Sequence, residues 1–296
     1  MHTSYDTAAF LDEDSEVTAN IIDGRALAAS IREDLILARK ELGDRTVRLV
    51  SLEVGESPAA EMYMRNQRRA ADRVGIDFEV RNLPMDIGEE RLTTLIHELN
   101  DDDSISGVIV QRPLPVGIDP RRIQLAIRRQ KDVEGMHPAN MGSLLYSEPR
   151  LPPCTAMAAF HLIEHTGVDL RGAETVVVGH SEIVGKPIAI LLLHHFSTVT
   201  VCHVGTRDLA FHTKRADILV VAVGKAGLIH SDMIKPGAVV IDIGINHVDG
   251  KLCGDVDYEA AAEVAGFITP VPGGVGPVTV AMLMRNTLRA SGAEGI

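Results

Sequence analysis

Tryptophan is absent, and phenylalanine and tyrosine alone bring the aromatic share to only 3% of the 296 residues. A core of this size must therefore be largely aliphatic. Cysteine is also scarce: Cys154, Cys202 and Cys253 are widely spaced and form no CxxC pair. This points to a reducing, cytoplasmic setting with all three thiols buried or idle, and to no metal. No apolar run approaches the roughly 20 residues of a membrane span. Residues 1–19 contain neither Lys nor Arg, so they read as an acidic, disordered tail, not as a secretory or transit signal. Basic side chains are outnumbered, with 29 Lys and Arg against 41 Asp and Glu and a net charge of −12. That balance argues against nucleic acid and anionic membranes as partners. An anionic small ligand stays open, since it responds to local charge.

Apolar and charged shares of 45% and 24% are those of an ordinary globular protein, and the length suits one large or two medium domains. From Ile21 onward strands and helices alternate. "GRALAASIREDLILARKEL" reads as a helix and "TVRLVSLEVG" as a buried strand. "DFEVRNL" and "ISGVIVQRPLP" read as further strands, with "GEERLTTLIHELN" as a helix between them. "DPRRIQLAIRRQ" reads as a helix capped by Asp119 with Pro120 at its first position. A Pro-rich boundary falls at 147–154, after which "AETVVVGHSEIVGKPIAILLLHH" reads as strand, Gly turn and helix. "TVTVCH", "ADILVVAVG" and "GAVVIDIGIN" add strands, and "PGGVGPVTVAMLMRNTLRA" is a Gly-rich loop entering a last helix. Such alternation predicts a two-domain α/β protein with parallel pairing.

Three stretches carry chemistry. In "SPAAEMYMRNQRRAADRVG" the charged residues Glu61, Arg65, Arg68, Arg69, Asp72 and Arg73 share one side of a helix, while Tyr63 and Gln67 turn inward one turn apart. A core tyrosine beside an accidental glutamine would look the same. In "VVVGHSEIVGKP" Gly179 ends an apolar strand and Gly185 opens the next helix, the context in which backbone N–H groups bind a phosphate. The spacing is not G-x-G-x-x-G, so a purely structural turn remains open at this point. The second strand ends at His203 and Val204 without the acid that an NAD ribose usually meets, and His180 and Arg207 could sit near a 2′-phosphate, which tilts the choice toward NADP. "HLIEH" (161–165) matches an inverted zinc-protease motif, but a solvated helix face is the better reading, as surface placement is for His194 and His195.

Taken together, "IIDG", "VGESPAAEMY", "GVIVQRPLP", "KDVEGMHPANMG", "PCT", "VVVGHSEIVGKP", "ADILVVAVG", "VVIDIGIN", "GDV" and "PVPGGVGPVT" resemble the methylenetetrahydrofolate dehydrogenase/methenyltetrahydrofolate cyclohydrolase family from Ile21 to about Ala290. The resemblance implies an N-terminal α/β catalytic domain (20–150, with a C-terminal helix 277–296) and a Rossmann-like NAD(P)-binding domain (151–276), with the cleft between them. It also implies a homodimer, a tetrahydrofolate derivative as substrate, and NADP, with NAD the alternative.

Residue by residue, the resemblance assigns catalysis to Tyr63, Gln67, Gln111 and Glu134. Pro272, Gly273 and Gly274 join Tyr63, Gln111 and Glu134 in binding substrate. Gly179, His180, Ser181, Ile183, Val184, Gly185, His203, Val223, Gly224, Ile245, Gly276 and Thr279 would bind the cofactor. The family's catalytic lysine corresponds to Gln67, and its substrate-binding Asp to Glu134. Hydride transfer needs geometry, whereas opening the methenyl cation needs proton transfer, which an amide does not provide. The expectation is thus a dehydrogenase with cyclohydrolase activity weak or lost. The alternatives are a bifunctional enzyme, a dehydrogenase acting on another one-carbon folate, and a folate-binding relative without catalysis.

Overall fold

The computed structural model describes residues 19–55, 58–146 and 149–296. The expected acidic tail, apart from Ala19, lies outside them, as do residues 147 and 148 of the Pro-rich boundary. In the first half, β1 (Asn20–Ile21) leads into α1 (Gly24–Glu41), followed by β2 (Arg48–Val54), α2 (Pro58–Val74), β3 (Asp77–Leu83), α3 (Glu89–Asp101) and β4 (Gly107–Val110). Two short helices, α4 (Pro120–Ala126) and α5 (Pro138–Ser143), complete it. β2 lies between β3 and β4, all parallel, and is buried from Leu49 to Val54, as a strand covered on both faces must be.

Local signals set most boundaries. Asp119 caps α4 by accepting from the Arg121 N–H at 2.9 Å, with Pro120 in the first turn. The sequence pattern extends this helix to Gln130, but it stops at Ala126. Asn100 ends it, donating to the Ala126 carbonyl at 2.7 Å and accepting from the Arg128 N–H at 2.9 Å, side-chain bonds that replace the next helical turn.

The second half runs α6 (Cys154–His165), β5 (Glu174–Val178), α7 (Gly185–His194), β6 (Thr198–Cys202), α8 (Leu209–Thr213), β7 (Ile218–Val221) and β8 (Val239–Asp242). A hairpin of β9 (Asn246–Val248) and β10 (Lys251–Cys253), then α9 (Tyr258–Ala262), β11 (Phe267–Ile268) and α10 (Val275–Ala290), follow. The parallel sheet has the order β1-β11-β8-β7-β5-β6. Strand order reverses at β5, so the ends of β5 and β7 form the crevice in which such sheets bind ligands. β1, though it opens the first half, belongs to this second sheet. Among the described residues no helix is long and apolar enough to cross a membrane.

α10 packs on α1, α2 and α6, and every residue from Val278 to Leu288 is buried. One apolar cluster runs through it, joining Leu35 and Ala71 to Leu162, Ile188 and Val220. Asn286, fully buried, donates to the carbonyls of Val133 and Pro152 at 2.8 Å each. Asn286→Leu would strand both acceptors, at about 1–3 kcal/mol for a buried group. The expected loss is about 2 kcal/mol in urea unfolding, and an unchanged midpoint would show that these bonds contribute nothing net.

Candidate functional site

The charged outer face and the inward Gln67 read from the sequence are present in α2, but Tyr63, expected to turn inward with Gln67, sits at the edge of the buried face. All six charged side chains are exposed, and Met64, Gln67, Ala71 and Val74 form the buried stripe. Tyr63 stands beside that stripe, 38% exposed, with its ring lining a cleft. The Gln111 Nε2 donates to Gln67 Oε1 at 3.0 Å and to Ser51 Oγ at 2.9 Å, while Gln67 also hydrogen-bonds the phenol. Ser51 comes from the central strand β2 and Gln111 from the end of β4, so the sheet itself fixes this uncharged relay. Burial, then the nearby Glu134 and Cys154, hold the Tyr63 phenol well above its ordinary range against the opposing Gln67 bond. The phenol therefore stays protonated near neutral pH.

The cleft gathers Tyr63 from α2, Glu134, Thr155 at the start of α6, Ile183 from the nucleotide turn, and Thr279 and Leu283 from α10. Glu134 is its titrating group. Desolvation and then the neighbouring Asp132 push its carboxyl up to about 7, with Arg112 opposing. A shift from 4.5 to about 7 represents roughly 3 kcal/mol in favour of the neutral form. No donor among the described residues hydrogen-bonds this carboxylate. Asp132, two residues earlier and fully buried, is the opposite case. It accepts from the Met136 and His137 N–H groups, from Asn140 and from Gln124, at 2.7–3.1 Å. Asp132 shapes the loop, and Glu134 is presented to the cleft.

At the crevice, Gly179 has φ +121° and a Cβ there would lie 2.3 Å from the Ala222 carbonyl oxygen, while one on Gly185 would lie 2.0 Å from that of Gly179. Only glycine permits this approach of β5, β7 and α7. Ser181 Oγ accepts from the Val184 N–H at 3.2 Å and, more weakly, Gly185 at 3.5 Å. His180 and His203 face each other with ring centroids 5.0 Å apart. Asp208 caps α8 through the Phe211 N–H at 3.0 Å, so no free acid follows β6. Glycine turn, helix start and imidazoles fit a phosphorylated dinucleotide.

Val223 and Gly224 close the crevice from β7. Their N–H groups, with that of Lys225, donate to the buried Asp255 carboxylate at 2.7–2.9 Å, and Asn246 adds a fourth bond. Asp242 in turn accepts from the Gly244, Asp255 and Val256 N–H groups. Burial raises Asp242 to about 6 against those bonds. Ile245 is 66% exposed. Gly276 in the first turn of α10 and Pro272 are also exposed, Gly273 is partly so, and Thr279 is buried at the cleft wall. Gly274 is buried, and the space a Cβ would occupy is filled by Thr269 and the Pro270 carbonyl. Its lack of a side chain serves packing within the loop.

Sequence reasoning missed Ser51, Thr155 and Asp255; the "PCT" and "GDV" stretches were the available signals for the last two. One expectation needs correction. The "HLIEH" segment is not a solvated face throughout. Glu164 and His165 are exposed, but Leu162 and Ile163 are buried and His161 Nε2 lies 2.9 Å from Arg285 Nη1, because α6 is wedged under α10. Among the described residues no group of His, Cys, Asp or Glu is arranged to hold a metal. Of the thiols, Cys154 and Cys202 are buried, but Cys253 on the peripheral hairpin is only half-buried.

The family model described as "Tetrahydrofolate dehydrogenase/cyclohydrolase, catalytic domain" matches residues 22–134, and its "NAD(P)-binding domain" counterpart matches 153–294. "Bifunctional protein FolD 2" of Mesorhizobium japonicum is 50% identical, over 95% of this chain and 92% of its own. "Bifunctional protein FolD" of Rhodobacter capsulatus is 53% identical, over 91% and 92%. Among solved structures, the bifunctional FolD of Campylobacter jejuni superposes with a TM-score of 0.89 at 41% identity, covering 92% of this chain and 98% of that one. The Trypanosoma brucei methylenetetrahydrofolate dehydrogenase-cyclohydrolase, complexed with NADP cofactor and inhibitor, gives 0.88 at 37%, covering 93% and 97%. This chain belongs to the tetrahydrofolate dehydrogenase/cyclohydrolase family.

Proposed function

We propose that this protein oxidises 5,10-methylenetetrahydrofolate with NADP⁺ and then hydrolyses the methenyl product to 10-formyltetrahydrofolate, with Glu134 handling the proton of the second step. The observation that carries this reading is the Glu134 carboxyl in the cleft, which titrates near neutrality and has no hydrogen-bond donor among the described residues. The bifunctional names of relatives about 50% identical support it, and the NADP complex of a similar structure supports the cofactor. The expectation of a lost cyclohydrolase rested on Gln67 alone. A different titrating group in the same cleft removes that necessity.

NADP⁺, when bound, supplies the hydride acceptor. The protein's share of oxidation is placement: Tyr63 orients the pterin side and Gln111, fixed by Ser51 and Gln67, offers a neutral contact. In the hydrolytic step, water adds to the methenyl carbon and Glu134 carboxylate takes its proton. The protonated Glu134 returns that proton to the ring nitrogen as the carbon–nitrogen bond breaks, and the remaining hydroxyl proton leaves to solvent as the formyl group forms. Glu134 serves as base only when ionised, a fraction that rises with pH. The kcat/KM for methenyl hydrolysis should therefore climb to about pH 7 and then level off.

A second reading keeps hydrolysis weak, and the buried, wholly uncharged Ser51–Gln111–Gln67 relay favours it. The homodimer implied by the resemblance and the cytoplasmic setting read from the cysteines belong to the proposal too; sizing should give twice the 31.9 kDa of one chain, and a monomer would overturn the first.

Glu134→Gln should reduce hydrolysis about 10²-fold or more, the lower range for a general base, and erase the limb near pH 7. Oxidation should fall less, because it loses only a substrate contact; equal losses in both would leave Glu134 as a binding group alone. Gln67→Lys should change hydrolysis less than about tenfold, since the proton already has a carrier. A gain of about 10²-fold would instead establish the weak-cyclohydrolase reading.

A further inference from the structure

An exposed turn at the crevice is held from behind by a fully buried carboxylate. Val223, Gly224 and Lys225 follow β7 and are exposed, yet all three of their N–H groups are taken. Asp255, with no exposed surface, accepts from Val223 and Gly224 on Oδ2 at 2.7 and 2.9 Å and from Lys225 on Oδ1 at 2.7 Å. Asn246 Nδ2, at the root of the β9–β10 hairpin, donates to the same Oδ1 at 2.9 Å. Successive N–H groups converging on one point form a concavity that takes an anion. Here the chain supplies its own anion, so this turn has no N–H left for a ligand phosphate.

Asp255 is itself fixed on both sides. Its N–H donates to Asp242 Oδ1 at 3.0 Å, and its carbonyl accepts from the Ile229 N–H at 3.1 Å. Gly244 packs against its carboxyl carbon so closely that a Cβ there would not fit. The entry to the turn is equally set, because the Ala222 N–H donates to the Val178 carbonyl at 2.8 Å. The absence of a Cβ on Gly179 then lets the Ala222 carbonyl close on the glycine turn of β5. One wall of the crevice is thus placed by a residue that lies behind it, 30 to 32 positions further along the chain.

We propose that Asp255 is a positioning residue for the dinucleotide: it holds the Val223–Lys225 turn in its binding arrangement before the cofactor arrives, and so sets the affinity for NADP⁺ and NAD⁺ alike while touching neither. This rests on the cofactor reading above. A turn that is already ordered gives up no freedom on binding, and the entropy it does not lose appears as affinity. Bonds from backbone N–H groups to a carboxylate are strong enough to impose that order on an exposed segment without regular structure. Both cofactors gain equally, because β7 lies on the other side of β5 from β6, and a dinucleotide site tells the two apart after its second strand, here β6.

Asp255→Asn keeps the shape but puts an NH₂ where an oxygen was. Each carboxylate oxygen serves two donors, so either orientation of the amide turns that NH₂ toward two N–H groups. In calorimetric titration of the full chain, NADP⁺ and NAD⁺ should both weaken about tenfold, the scale of one charge-assisted hydrogen bond. Tetrahydrofolate should weaken by less than about twofold. Amide exchange separates a local effect from a global one. The Val223–Lys225 amides should exchange slowly in the wild type despite their exposure and fast in the variant, with β5 and β7 unchanged. Equal weakening of the cofactors and tetrahydrofolate, with exchange raised throughout the sheet, would make Asp255 a scaffold residue and overturn the positioning role. Unchanged cofactor affinity with a loosened turn would overturn it too. If Asp255→Asn does not fold, Asn246→Ala decides. It removes one donor and no part of the turn, and should weaken both cofactors about two- to threefold; no weakening would overturn the positioning role. A wild type that binds neither dinucleotide would overturn the cofactor reading itself.

Discussion

The site depends on the burial of α10. A helix enclosed from Val278 to Leu288 has no solvent face to set its rotation, so its polar residues must find partners inside the protein. Asn286 does so by bonding the carbonyls of Val133 and Pro152, and the Cys154 thiol reaches the same Val133 carbonyl at 3.2 Å. Glu134 is the next residue along, and its own carbonyl accepts from the Cys154 N–H at 3.2 Å. The backbone on both sides of Glu134 is thus pinned by α6 and α10. The side chain is thereby held at the cleft, where desolvation and the neighbouring Asp132 raise its pKa. One and two helix turns from Asn286, Leu283 and Thr279 of the same α10 also line the cleft. Fold and ionisation therefore share one cause.

Three buried aspartates show what the chain does when a carboxylate is structural. Asp132, Asp242 and Asp255 each accept at least three hydrogen bonds, mostly from backbone N–H groups of loops that would otherwise have no regular partner. Charge-assisted bonds of this kind are the strong ones, and they fix the loops after β4, β7 and β8 without further secondary structure. Glu134 is only half-buried and has none of those donors among the described residues. A carboxylate so placed favours its neutral form at modest cost and is free to exchange a proton with whatever enters the cleft. The contrast between Asp132 and Glu134, two residues apart, separates scaffold from chemistry more sharply than residue type does.

Much of this was legible beforehand. The apolar runs that became β2, β5, β7 and β8, the Asp119–Pro120 start of α4 and the amphipathic stripe of α2 are local features, and local physics set them. Tyr63 and Gln67 were visible for the same reason, being one turn apart on a helix whose charges mark its outer side. What escaped was set at long range. β1 pairs with a strand some 250 residues later, a two-residue element too short to show periodicity. α4 ends early because Asn100 of a different helix captures its terminus. His161 is drawn inward by α10, which no reading of "HLIEH" alone could show, and the ionisation of Glu134 is a property of enclosure that its sequence neighbours do not encode.

The proposed pair of reactions places two conflicting demands on one cleft. Hydride transfer favours an uncharged, rigid surround near the reacting carbon, since a mobile charge would reorganise as the substrate cation forms. The Ser51–Gln111–Gln67 relay with the protonated Tyr63 phenol provides that. Hydrolysis needs a group that changes its charge, and the proposal gives that part to Glu134, on the loop held by α6 and α10.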